Sequence, residues 1–236
     1  MTLAQSILAH ENKEKAQLLG RFFKTGKGEY GYGDRFLGLT VPQTRLIAKK
    51  YHRLTLDEIR QALQSPFHEV RLAALFVLVY QFSQGNEQKK KELCNFYLKY
   101  THYINNWDLV DTSVYFIVGE YIFGGYGDVS ILRRLVVSEN LWERRMAMVA
   151  CFAEIRRKEY LVTFEMARTL LGDSHDLIHK AVGWMLREVG KRCGERILRG
   201  FLDEYATTMP RTALRYAIER LDPFMRKKYL SMKKIV

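Results

Sequence analysis

Apolar side chains recur three and four residues apart through most of this chain, and short breaks part the stretches that carry them. That spacing gathers them on one face of a helix. It predicts helices over 3–24, 42–52, 55–64 and 67–82, then 87–101, 107–123, 128–137, 140–157, 159–171, 174–192, 194–206, 209–220 and 222–232. The first stretch turns Ile7, Leu8, Leu18, Leu19, Phe22 and Phe23 inward, and the fourth turns Val70, Ala73, Ala74, Val77 and Leu78 inward. Start signals agree. Pro42 suits a first helical turn, Thr55 with Glu58 three places on forms a capping-box pattern, and Ser65-Pro66 separates two helices. No stretch alternates with a period of two between turn signals, so no sheet is expected.

Five helical segments share a weak pattern: EVRLAAL, DLVDTSV, ERRMAMV, LIHKAVG and PRTALRY. Aligned on Ala73, Ser113, Ala147, Ala181 and Ala213, they put Arg71, Asp111, Arg145, His179 and Arg211 two places earlier. A helix-pair repeat of about 30–40 residues predicts an all-α fold, an α-solenoid of HEAT-like or armadillo-like repeats in a single domain over 1–236. The small residues would let neighbouring helices approach. The polar position, about 200° away round the helix, would face a concave surface.

Charge narrows the function. Lys and Arg number 38 against 26 Asp and Glu, a net charge of +12 in 236 residues. Such an excess points to a polyanionic partner, nucleic acid or an anionic membrane surface. Cys94, Cys151 and Cys193 are far apart and odd in number, which suggests reduced thiols and a cytoplasmic protein. No apolar run is long enough to span a bilayer, and the first residues lack a signal-peptide pattern.

The one irregular segment, 25–38, contains Gly26-Lys27-Gly28-Glu29-Tyr30-Gly31. It matches GxGxxG, but no strand precedes it, so a dinucleotide site is rejected. A basic loop that touches a phosphate backbone and a plain connection both remain open. His175 and His179, one turn apart, lack a third ligand, so neither metal nor cofactor is expected.

Three segments could carry chemistry. In NWDLVD, Trp107 and Asp111 share a helix face, and Asp108 points elsewhere as a possible cap. In NLWERRMAMVACFAEIRRK, Trp142 and Arg145 lie three apart among Arg144, Arg156, Arg157 and Lys158, a phosphate-binding or merely solvated face. In HKAVGWMLRE, Trp184 stands between Lys180 and Arg187, an aromatic flanked by cations that can stack on a nucleoside or simply pack inside.

Taken together, NWDLVD, NLWERR and KAVGWMLRE resemble the AlkD family of bacterial DNA alkylation-repair glycosylases, with support from FLGLTVPQTR and PRTALRYAIERL. The likeness spans nearly the whole chain. It implies a HEAT-like solenoid that removes positively charged N-alkylpurines, chiefly 3-methyladenine and 7-methylguanine, from duplex DNA, and that the lesion is not necessarily extruded into a pocket. The sequence carries no oligomer signal, so a monomer is the default expectation. The resemblance implies that Asp111 is the catalytic carboxylate and that Trp107 and Trp184 wall the lesion. Arg145 would hold a phosphate, and Arg187, Lys180 and Arg45 would fall at further DNA-facing positions. Where the family has a cleft-lining tyrosine, this chain has Phe22 or Phe23, which lack a hydroxyl. The alternatives are a non-catalytic solenoid for distorted or branched DNA and a protein-binding scaffold.

Overall fold

The computed structural model describes residues 1–232, and they form no β-strand. Arg35 and Phe67 make an isolated parallel bridge. The chain divides into two compact units, Met1–Ile117 and Val118–Val236.

The first unit contains α1 (Leu3–Leu8), α2 (Lys13–Phe22), α3 (Val41–Lys49), α4 (Leu56–Leu63), α5 (His68–Gln84), α6 (Glu87–Lys99) and α7 (Trp107–Asp111). At its centre, α5 packs against α1, α3, α4, α6 and α7. Val70, Ala73, Ala74, Val77 and Leu78 are all at most 1% exposed. The Thr55–Glu58 capping box forms, and Pro42 sits in the first turn of α3.

The helix expected over 3–24 is two helices. Asn12 caps α2 by accepting from the Lys15 N–H, and its own N–H donates to the Leu37 carbonyl. Gly38 makes this crossing possible. Its φ is +89°, and a Cβ there would lie 2.3 Å from the Asn12 carbonyl oxygen. α2 has no buried residue, and Leu18 and Phe22 stand in solvent.

The helix expected over 107–123 is also broken. After α7 the Thr112 and Ser113 hydroxyls bond back to the Asp108 and Leu109 carbonyls. Such back-bonding competes with the regular ladder, and the chain passes into a π-helical turn over Tyr115–Gly119.

The second unit contains α8 (Glu120–Phe123), α9 (Ser130–Val136), α10 (Leu141–Ala150), α11 (Phe152–Arg156), α12 (Leu161–Leu170), α13 (Asp176–Arg192), α14 (Glu195–Tyr205), α15 (Arg211–Ala217) and α16 (Pro223–Ser231). The stretch expected as one helix over 140–157 is interrupted at Cys151. Buried Glu154 on α11 accepts from the Val162 and Thr163 amides and so caps α12.

Contacts within each unit run between helices near in sequence, the α-solenoid pattern of helical repeats. The small residues that define the repeat, Ala73, Ser113, Ala147, Ala181 and Ala213, are at most 1% exposed. The polar partner position behaves otherwise than expected. Arg71 and Arg145 are each 5% exposed. Arg71 donates to the Ser65 carbonyl, Arg145 to Leu177 and Arg211 to Leu230, while the His179 ring bonds the Asp173 carbonyl. Ser65 follows the end of α4 and Leu230 lies in the last turn of α16, where carbonyls lack helical partners, whereas Leu177 lies in the first turn of α13 and Asp173 in the link before it. No described helix is long and apolar enough to cross a membrane.

Candidate active site

In the first unit the site is built on α7. Asn106, fully buried, caps the helix by accepting from the Asp108 N–H, so Asp108 is not the cap. Asp108 is 7% exposed and turns inward, its Oδ2 3.1 Å from Nε2 of His68. Trp107 and Asp111, one turn apart, are both half-buried. Burial pushes the Tyr97 phenol upward in pKa, and the charge of nearby Asp111 adds to the effect. The Asp111 carboxylate therefore lies close to α6.

Trp107 is held on two sides. Its ring stacks on Phe23 at 4.9 Å, and Phe22 meets it edge-on at 6.0 Å. Its Nε1–H donates to the Tyr30 hydroxyl at 3.1 Å. Tyr30 was not singled out by sequence reasoning, because its register against Trp107 depends on how the 25–38 loop folds. A phenol missing from α2 is present beside Trp107 from the loop instead.

That loop is anchored at its far end. Glu69, 1% exposed, accepts from the Leu37, Gly38 and Leu39 amides at 2.8–3.3 Å. Asp34, 8% exposed, accepts from Arg71 at 2.6 Å and from Asn106 at 3.3 Å, and faces Nδ1 of His68 at 3.3 Å. Burial opposes the charge on Asp34, but hydrogen bonding to His68 and the Arg71 charge hold its pKa below the usual 3.8. Arg45 on α3 is exposed, with its guanidinium 4.1 Å from the Phe76 ring centroid. Val41, Leu46, Lys49 and Tyr80 line the groove beside it.

In the second unit, α13 carries Lys180, Trp184 and Arg187 at spacings that share a face. Trp184 is half-buried, 6.3 Å from the Phe152 ring. Lys180 pairs with Asp176 at 2.7 Å, and Arg187 pairs with Glu219. Arg145 donates from α10 to the Leu177 carbonyl in the first turn of α13. Three other cations of that segment are engaged as well: Arg144 binds Asp173 at 2.6 Å, and Arg156 and Arg157 reach Glu120. Trp142 is 8% exposed. His175 caps α13 through Nδ1. Among the described residues, no group of three or more His, Cys, Asp or Glu is arranged to hold a metal.

A family model described as DNA alkylation repair enzyme matches residues 3–221. The chain belongs to the DNA alkylation repair enzyme family. The fold of this family member is similar to that of a predicted DNA alkylation repair enzyme from Enterococcus faecalis, with a TM-score of 0.71, at 17% identity over 91% of this chain and 98% of the other. No curated protein matches the sequence of this repair-family chain. The matched span contains α7 and α13 whole, so the residues singled out above all fall within the family's own region.

Proposed function

We propose that this repair-family protein is a DNA glycosylase that hydrolyses the N-glycosidic bond of positively charged N-alkylpurines in duplex DNA, chiefly 3-methyladenine and 7-methylguanine, and so opens base excision repair. The observation that carries the reading is the contrast between two carboxylates of one helix. Asp108 is buried and turned onto His68, whereas Asp111, one turn beyond half-buried Trp107, retains access to solvent. Family membership, the +12 net charge and the three Trp-bearing segments support it.

The chemistry asks little of a general acid. An N-alkylated purine carries a positive charge and departs as a neutral base. As the bond stretches, positive charge grows on the deoxyribose, and a fixed carboxylate near C1′ stabilises it. Asp111 fills that role and orients or deprotonates the water that attacks the sugar. Trp107, stiffened by Phe23, Phe22 and Tyr30, offers an electron-rich face to the cationic sugar and limits water. Trp184 supplies an aromatic face from α13, and Lys180, Arg187 and exposed Arg45 meet the phosphate backbone. Arg145 acts through α13: its bond to Leu177 fixes the first turn of the helix that carries Trp184.

The test is release of free base from methylated duplex DNA by the purified full chain. Release of 7-methylguanine from methylated duplex, with none from undamaged duplex, supports the proposal. Tight DNA binding without any release overturns it in favour of a non-catalytic DNA-binding protein.

A further inference from the structure

The buried contacts behind α7 define a second role. His68 is 2% exposed, and each of its ring nitrogens faces a carboxylate oxygen: Nε2 toward Asp108 at 3.1 Å, Nδ1 toward Asp34 at 3.3 Å. A carboxylate accepts and does not donate, so both contacts are hydrogen bonds only if both ring nitrogens carry hydrogen. Charge count agrees. Asp34 and Asp108 bring two negative charges, and Arg71, 2.6 Å from Asp34, brings one positive. A second positive charge balances the buried cluster only when His68 is an imidazolium. The ring's aromatic contacts suit a cation as well: it stacks on Phe36 at 4.6 Å and meets Phe23 at a tilt, 5.1 Å away. Of the neighbouring charges, Glu69 is committed to the Leu37–Leu39 amides and Arg35 lies over the Phe67 ring.

We propose that His68 is a positioning residue of the α7 site, and that the proton it carries ties Asp108 of α7 to Asp34 of the loop and so fixes where Trp107 presents its face. The connection is short. Asp108 is next to Trp107 in the first turn of α7, and Phe23 lies against both the Trp107 and His68 rings. Loss of the proton leaves a lone pair against one carboxylate and an unbalanced charge in a buried place, a cost the structure relieves by letting the first turn of α7 or the loop base move. Burial disfavours the charged ring, yet the bonds to Asp108 and Asp34 lift its pKa above 6.5, in line with the geometry.

The site assignment rests on the function proposed above; the first test does not. The isotope-labelled full chain is titrated by NMR, following the His68 imidazole, assigned with His68→Gln, and the Trp107 indole N–H, assigned with Trp107→Phe. The expected result is a His68 midpoint above 6.5, a Trp107 resonance that moves with the same midpoint, and a fall of at least about one pH unit in Asp108→Asn, which removes one of the two partner charges. A His68 that is neutral at pH 6, a Trp107 signal indifferent to the titration, or a midpoint unchanged in Asp108→Asn overturns the proposal. If His68→Gln does not fold, wild type and Asp108→Asn carry the test. Base release is then measured against pH, and the role predicts that kcat falls on the alkaline side with the NMR midpoint while KM for damaged duplex changes little. Absence of base release together with intact NMR coupling refutes the glycosylase reading and leaves His68 as the holder of α7.

Discussion

Glu69→Gln perturbs the framework of the first unit at one buried point and replaces none of the residues given a role in the proposed chemistry. In the native chain one carboxylate takes three amide N–H groups in succession, Leu37, Gly38 and Leu39, at 2.8–3.3 Å, with 1% exposure. The substitution conserves shape. It removes the negative charge and turns one acceptor into an NH₂ group that confronts the Leu37 N–H. A hydrogen bond to a charged partner contributes about 1.5–3 kcal/mol against about 0.5–1.5 for a neutral one, a loss of about 1 kcal/mol per bond. Three bonds give about 3 kcal/mol. For a chain of this size that lowers the thermal midpoint by about 6–12 °C. Circular dichroism during thermal unfolding at pH 7 measures it. The same residues end the loop that brings Tyr30 to Trp107, so the Trp107 indole resonance should shift too. A midpoint that falls by less than about 2 °C would refute the reasoning that this carboxylate holds the segment.

Tyr30→Phe should cost about 1 kcal/mol and broaden or shift the Trp107 indole signal, with the rest of the spectrum preserved; an unchanged indole signal would deny the hydrogen bond its role. Arg145→Ala leaves the Leu177 carbonyl without its guanidinium and should destabilise the chain by about 1–3 kcal/mol in urea unfolding, and neutral stability would contradict the buried placement. Stability should depend on pH in two windows. The His68 contribution is complete below 6.5 and lost as pH rises through its raised folded value, whereas the Asp34 contribution is complete above 3.8 and lost as pH falls through its lowered one. Urea midpoints of the wild-type chain against those of His68→Gln and Asp34→Asn isolate each window, and stability that climbs from pH 6 to 9 in wild type alone would contradict the His68 sign.

Much of the fold was legible because helix periodicity and capping are local. Thr55, Glu58 and Pro42 mark helix starts that the structure reproduces, and Ala73, Ala147, Ala181 and Ala213 mark the close approaches. The breaks were not legible where their cause is distant. Helix α2 begins at Asn12 because Leu37 and Gly38 lie across that point, and no local signal reveals that crossing. Within 107–123 the hydroxyls of Thr112 and Ser113 could have warned of a disturbed ladder, since residues of that kind compete for carbonyls.

The candidate site divides in the same way. Trp107 and Asp111 share one short helix as their spacing implies, and Lys180, Trp184 and Arg187 share another. Sequence could not tell a guanidinium that faces solvent from one folded onto a carbonyl. Arg145 and Arg71 read as surface cations, yet both are buried, because partners that lie 32 and 37 residues away in sequence decide the matter. Tyr30 and His68 were missed for the same reason: each matters through a contact with α7 that only the folded chain creates.

The central claim is that a solvent-accessible carboxylate on α7 stabilises a sugar that is becoming cationic. Single-turnover release of 7-methylguanine from methylated duplex, compared between wild type and Asp111→Asn at matched DNA occupancy, addresses it most directly. The account predicts a rate about 10²–10³ lower in the variant with DNA affinity little changed. Release at the wild-type rate by Asp111→Asn would contradict it.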